Sequence, residues 1–120
     1  MKLRLHANSI RLRLSRPEMS ALAKDRRVED SLDFGGGSRF VYSLEIDRDA
    51  TETHTLYDGG RIRVVIMENE ANRWIDTDQV GIESSPASGP QILIEKDFQC
   101  LHREDGDLDA YPNPLATSQT

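Results

Sequence analysis

Ile10-Arg11-Leu12-Arg13-Leu14 and, 52 residues later, Ile62-Arg63-Val64-Val65-Ile66 carry the reading that decides the fold. Both begin aliphatic, arginine, aliphatic, the pattern of a strand with one face buried. Carried outward at the same offset without a gap, Arg16 to Asp25 falls on Glu68 to Thr77, Val28 on Val80, Gly37 on Gly89, and Phe40-Val41-Tyr42 on Ile92-Leu93-Ile94. Five of the 37 aligned positions are identical, so matching pattern rather than matching letters carries the duplication. Two like halves, about 10–46 and 62–98, packed about a pseudo-twofold axis leave a groove between them. Such a groove is a natural seat for a ligand or partner.

Around these strands the elements are readable one by one. Lys2 to His6 also alternates, and the short link to Ile10 suits a hairpin. Ser15 stands at an N-cap, with Pro17 at the start of a helix and Glu18 three residues on, which together make a capping box. That helix, Arg16 to about Arg26, has Met19, Leu22 and Ala23 on one narrow apolar face. Val28 to Phe34 and Arg39 to Ile46 read as strands about the Gly35-Gly36-Gly37 turn. His54 to Tyr57 forms a short strand before Asp58-Gly59-Gly60, and Arg61 to Met67 is central by its continuous apolar run. A second helix, Glu68 to about Thr77, carries Ala71, Trp74 and Ile75 at helical spacing. Gln79 to Ser84 and Pro90 to Phe98 then repeat the strand pair.

The predicted class is α+β: duplicated strand-helix-strand-strand units forming a curved or barrel-like antiparallel sheet with two short helices. Residues 1–114 make one domain, and 115–120, with nothing to bury, form a disordered tail. In element order alone the pair of modules resembles small-molecule-binding domains related to the gyrase-inhibitor proteins. A closed barrel of the cradle-loop kind fits the same order.

Bulk composition narrows the function classes. The single cysteine, Cys100, has no intramolecular partner, so packing alone holds the fold, as in a reducing compartment. The cytoplasm is the expected location: the N-terminal stretch alternates charge with leucine, and no run is long and apolar enough for a signal or a span. The net charge of −6 conceals a split, since residues 1–27 hold eight basic and two acidic side chains. Either an anionic partner or pairing within the fold accounts for it, and internal pairing is the simpler account.

The candidate ligand-binding residues are Arg11, Arg13, Glu45, Arg63, Glu95 and Trp74. Leu44-Glu45-Ile46-Asp47 matches Ile94-Glu95-Lys96-Asp97 at an offset of 50, which makes Glu45 and Glu95 equivalent if the turns differ by two residues. Two symmetry-related glutamates beside an axial groove suit a cation or polar ligand. Outward pairing with Arg11, Arg13 or Arg63 explains the same residues without one. For Trp74, core packing stands beside recognition at a surface.

Other constellations offer less. Cys100 and His102, followed by Glu104, Asp105, Asp107 and Asp109, supply half a transition-metal site and need further histidines. Asp105-Gly106-Asp107-Leu108-Asp109 lacks the terminal bidentate glutamate of a calcium loop. The basic strand residues Lys2, Arg4, His6, Arg11 and Arg13 suit an anion but have no interleaved aromatics for single-stranded nucleic acid.

Ile92-Leu93-Ile94-Glu95-Lys96-Asp97-Phe98-Gln99-Cys100-Leu101-His102, with Asp109-Ala110-Tyr111-Pro112-Asn113-Pro114, resembles the closing motif of a family of small bacterial proteins with no assigned function. The resemblance extends to Asn8–Ser15 and Gln79–Ile82, and it implies a family without transferring catalytic residues. The sequence thus predicts a non-catalytic domain, with no cofactor or metal, that binds a small molecule or protein in the groove between its halves. The alternatives are an enzyme with a carboxylate or Cys/His site, or an RNA- or phosphate-binding module using the basic N-terminal strands.

Overall fold

The computed structural model describes residues 1–98 and Tyr111. In chain order it contains β1 (Lys2–His6), β2 (Ser9–Leu14), α1 (Arg16–Asp25), β3 (Arg27–Gly35), β4 (Ser38–Asp47), β5 (His54–Asp58), β6 (Arg61–Met67), α2 (Glu68–Asp76), β7 (Gly81–Ser84) and β8 (Gln91–Lys96). The repeating unit is therefore strand-strand-helix-strand-strand, because β5 stands to β6 as β1 stands to β2. The fold is α+β.

The strands form two four-stranded sheets, ordered β1-β2-β8-β7 and β3-β4-β6-β5. Exchanging the two halves turns one order into the other read backwards. Each sheet takes one hairpin from each half, and the hairpins join along a central parallel pair, β2 with β8 and β4 with β6. The expected single antiparallel sheet or closed barrel gives way to two open mixed sheets. The reason lies in the helices: α1 carries the chain from β2 to the other sheet, and α2 carries it back from β6. Strands flanking a helix never pair, and the free edge of each hairpin is filled by the other half.

Register corrects the duplication as well. Leu12 lies beside Ile94 across one seam and Val64 beside Leu44 across the other, so β2 and β6 match at 52 residues but β4 and β8 at 50. Val28 pairs with Leu44 and Ile82 with Ile94, which places β3 on β7 at 54. The path from Val28 to Leu44 is 16 residues and that from Ile82 to Ile94 only 12, because the β3–β4 hairpin is the longer.

One core serves both sheets and both helices. Ile10, Leu12, Leu14, Ile82, Ile92 and Ile94 come from the first sheet, Leu44, Ile62, Val64 and Ile66 from the second, and Leu22, Ala71 and Trp74 from the helices. Val65 is buried on the opposite face of β6, so this central strand is covered on both sides there.

The helix starts are secured in two ways. Ser15 accepts a hydrogen bond from Glu18 N (3.4 Å), while the Glu18 carboxylate accepts one from Ser15 N (2.8 Å), the expected capping box. α2 has no capping side chain of its own. Buried Thr53 substitutes: its hydroxyl accepts from Met67 N and donates to Glu70, both at 3.3 Å. The matching tie in the first half runs from the Met1 ammonium to Glu18. Arg26 closes α1 in the left-handed conformation, and its guanidinium reaches Asn72 Oδ1 of α2 at 2.9 Å.

Trp74 is the symmetry mate of Leu22, and both are fully buried. Its indole N–H donates to Val80 O at 3.0 Å, tying α2 to the approach of β7. Trp74→Ala removes a large buried ring and one of the two hydrogen bonds to Val80 O, which Lys96 N still satisfies, so a loss of about 3–5 kcal/mol is expected in urea unfolding. A change under about 1 kcal/mol would place the ring outside the core.

Candidate functional site

Alternate residues of every strand point away from the core, and both outer faces are charged. On the second sheet the charges close into a lattice. Arg63 donates from Nε and Nη2 to Glu45, each at 2.9 Å, and the buried Ser43 hydroxyl donates to the same carboxylate at 2.7 Å. Arg27 approaches Glu45 at 3.8 Å and also binds Glu29, which Arg61 meets at 2.6 Å. The Arg63 bonds, helped by Ser43 and Arg27 against the opposing effect of burial, hold the Glu45 carboxyl down at about 2 from its ordinary 4.5.

The first sheet repeats one part of this lattice and abandons the rest. Arg11 Nε donates to Glu95 at 2.7 Å across the β2–β8 seam, just as Arg63 meets Glu45 across β6–β4, and Arg13 stands 3.5 Å from the same Glu95. Gly81 permits this placement: a Cβ there would lie 2.5 Å from Ile94 O and 3.1 Å from Glu95 Cγ. Lys2 pairs with Asp97 at 2.9 Å.

Elsewhere the two faces differ position by position. The place of Arg61 is taken by Ser9, that of Arg27 by Gly81, that of Leu56 by Arg4 and that of Asp58 by His6. Glu29 becomes Glu83, which has lost both arginines that bind its counterpart. Cross-strand partners change too: Arg4 faces Arg11 where Leu56 faces Arg63 on the second sheet, and Lys2 faces Arg13 where His54 faces Val65. Like charges directly opposite one another oppose strand pairing.

A cleft of about 360 Å³ lies on the first sheet, where Ser9 stands in the place of Arg61. One wall is Arg4, His6, Ser9 and Arg11 from the first half; the other is Glu83, Ser84, Ser85 and Gln91 from the second, with Leu93 on the floor. Two of its hydroxyls are already committed as donors. Ser9 Oγ donates to His6 O at 2.6 Å and Ser84 Oγ to Thr53 O at 3.1 Å, leaving oxygen lone pairs to accept. Among the described residues Arg4 makes no ion pair within 4.0 Å.

A larger groove of about 750 Å³ lies between the helices, floored by Leu14, Met19, Ala23 and Ile75 with Arg16 and Lys96 at its rim. It runs out at Phe98, beyond which the chain is not described apart from Tyr111.

The predicted site residues are thus distributed over three places. Arg11, Arg13 and Glu95 sit together on the first sheet, with Arg11 lining the cleft. Arg63 and Glu45 sit on the outer face of the second sheet, so the two glutamates share no groove. Trp74 is enclosed in the core. Ser9, Glu83, Ser84 and Gln91 escaped sequence reasoning, and the signal for them was the exchange of Arg61 for serine and Arg27 for glycine between halves. Finding the second exchange required the offset of 54 at β7.

Cys100, His102 and the acidic residues 104–109 lie outside the described residues. Of the other histidines, His6 is on the first sheet and His54 on the second. Among the described residues no three His, Cys, Asp or Glu side chains are grouped to hold a metal ion. No helix there is long and apolar enough to cross a membrane.

The chain belongs to a family of unknown function, DUF7009, whose profile matches residues 1–115. No curated protein and no solved structure matches it.

The depressed Glu45 pKa fixes a direction for acid stability. A carboxylate held below its unfolded value stabilises the fold above about pH 4.5, and that contribution is lost as the pH falls toward about 2. With Arg63 nearly half exposed, screening reduces its worth to about 1–2 kcal/mol. Glu45→Gln is expected to lower stability at pH 7 by this amount and to flatten the loss between those two pH values. An acid limb unchanged by the substitution in urea titrations would contradict the pairing.

Proposed function

We propose that the protein is a non-catalytic small-molecule-binding domain whose site is the cleft on the first sheet, where strands from the two halves meet. One observation carries this reading: the internal comparison between the sheets. At the equivalent positions the second sheet sets Leu56 beside Arg63 and binds Arg61 to Glu29, so this fold is built there without a like-charged cross-strand pair. On the first sheet such a pair, Arg4 facing Arg11, lines the cleft at a cost to strand pairing.

Chemistry supports binding over reaction. The cleft contains hydrogen-bonding serines and a glutamine, and its one carboxylate, Glu83, stands on an open wall. The Ser9 and Ser84 hydroxyls are tied to backbone carbonyls, with no histidine accepting their protons, so neither is set up as a nucleophile. The volume matches a small metabolite rather than a polymer, and the mixed charge of the walls disfavours a polyanion such as RNA.

Amide chemical-shift mapping tests the reading with a panel of nucleotides, sugar phosphates, carboxylic acids and amino acids. At least one class is expected to shift residues 4–11 and 83–93 together and to be recovered unchanged. Shifts confined to Met19, Ala23 and Ile75 would move the site to the helix groove, and chemical conversion of the ligand would make the protein an enzyme.

A further inference from the structure

We infer that the ligand of this cleft is a zwitterion, specifically an acidic α-amino acid whose carboxylates meet Arg4 and Arg11 and whose ammonium meets Glu83. The inference rests on the cleft being the site and adds the class of molecule it takes.

The walls carry opposite charge. Arg11 lies beside Leu93, and Leu93 beside Glu83, so arginine and glutamate stand two strands apart in one row. Two strand spacings are about 9.5 Å, and side chains stand roughly perpendicular to a sheet. The Arg11 guanidinium, bonded to Glu95 of β8, and the Glu83 carboxylate thus face each other across a short gap, further narrowed by a charge-assisted hydrogen bond of about 2.8 Å at each end. Such a gap suits an α-amino acid better than a dipeptide, which is longer by about one residue or 3.8 Å.

Donors and acceptors follow the same division. Arg11 spends Nε on Glu95 and keeps its remaining guanidinium N–H groups, which suit a carboxylate. Ser9 has given its proton to His6 O and offers lone pairs, which do nothing for a second anion. A phosphate or simple dianion would satisfy the arginines while facing Glu83 without compensation. Arg4, one strand beyond Arg11 in the same row, exceeds what one α-carboxylate requires, and a side-chain carboxylate accounts for it. Leu93 provides apolar contact for the intervening carbons.

Isothermal titration and amide shift mapping with L-glutamate, L-aspartate, L-lysine, glutarate and inorganic phosphate test this directly. L-Glutamate or L-aspartate is expected to bind in the cleft, with glutarate, which lacks only the ammonium, and L-lysine each about tenfold weaker or worse. Glu83→Gln should weaken the amino acid by about tenfold while leaving glutarate unchanged or tighter, and Arg4→Gln should weaken both. Both residues are exposed, and an unchanged melting temperature confirms that the variants fold. The inference is overturned if glutarate or phosphate binds as tightly as the amino acids, if L-lysine binds best, or if no amino acid shifts the cleft. If other metabolites still shift it, the binding site stands and only the ligand class falls; if nothing does, both fall.

Discussion

The parallel seams between the two halves are the constraint on which the rest of the molecule depends. Each half owns two hairpins and no complete sheet, and an isolated two-stranded hairpin is at best marginally stable in water. Pairing β2 with β8 and β4 with β6 turns four such hairpins into two four-stranded sheets and brings Leu12, Ile94, Leu44 and Val64 into one buried layer. The same outer-face brace crosses each seam, Arg11 to Glu95 and Arg63 to Glu45. Neither half retains a core without the other.

A core shared in this way leaves the outer faces free to diverge. The inward positions of the two halves keep their character: Leu12 with Val64, Ile94 with Leu44, Leu22 with Trp74. Outward, one sheet closes its charges into a lattice and the other replaces two arginines by serine and glycine. The brace remains, so the seam stays tied, while the space beside it opens. The proposed site occupies the surface where the two outer faces differ most.

Much of the architecture was legible from residues alone. Period-two alternation located β1 and β2, a continuous apolar run located β6, and Ser15 with Glu18 announced the start of α1 through its capping box. The start of α2 was opaque in physical terms, because Thr53, fourteen residues before Met67, performs the capping at a distance. Sheet partners were also hidden. Short connections favoured antiparallel neighbours, and nothing in the apolar pattern of Ile10 to Leu14 says that its second partner is Ile92 to Ile94. The offset of 50 that equated Glu45 with Glu95 was in the sequence and agrees with the register, whereas the uniform 52 obscured the correspondence of Glu29 with Glu83. The site depended on that correspondence, so its residues emerged only from paired strands.

Native-state hydrogen exchange across the four seam strands tests the interlocked core most directly. If the halves complete one another, the slowest amides of β2, β4, β6 and β8 open together, at one free energy equal to that of global unfolding. Two distinct values, with β2 and β8 exchanging as one unit and β4 and β6 as another, would show that each sheet stands alone and would contradict the account.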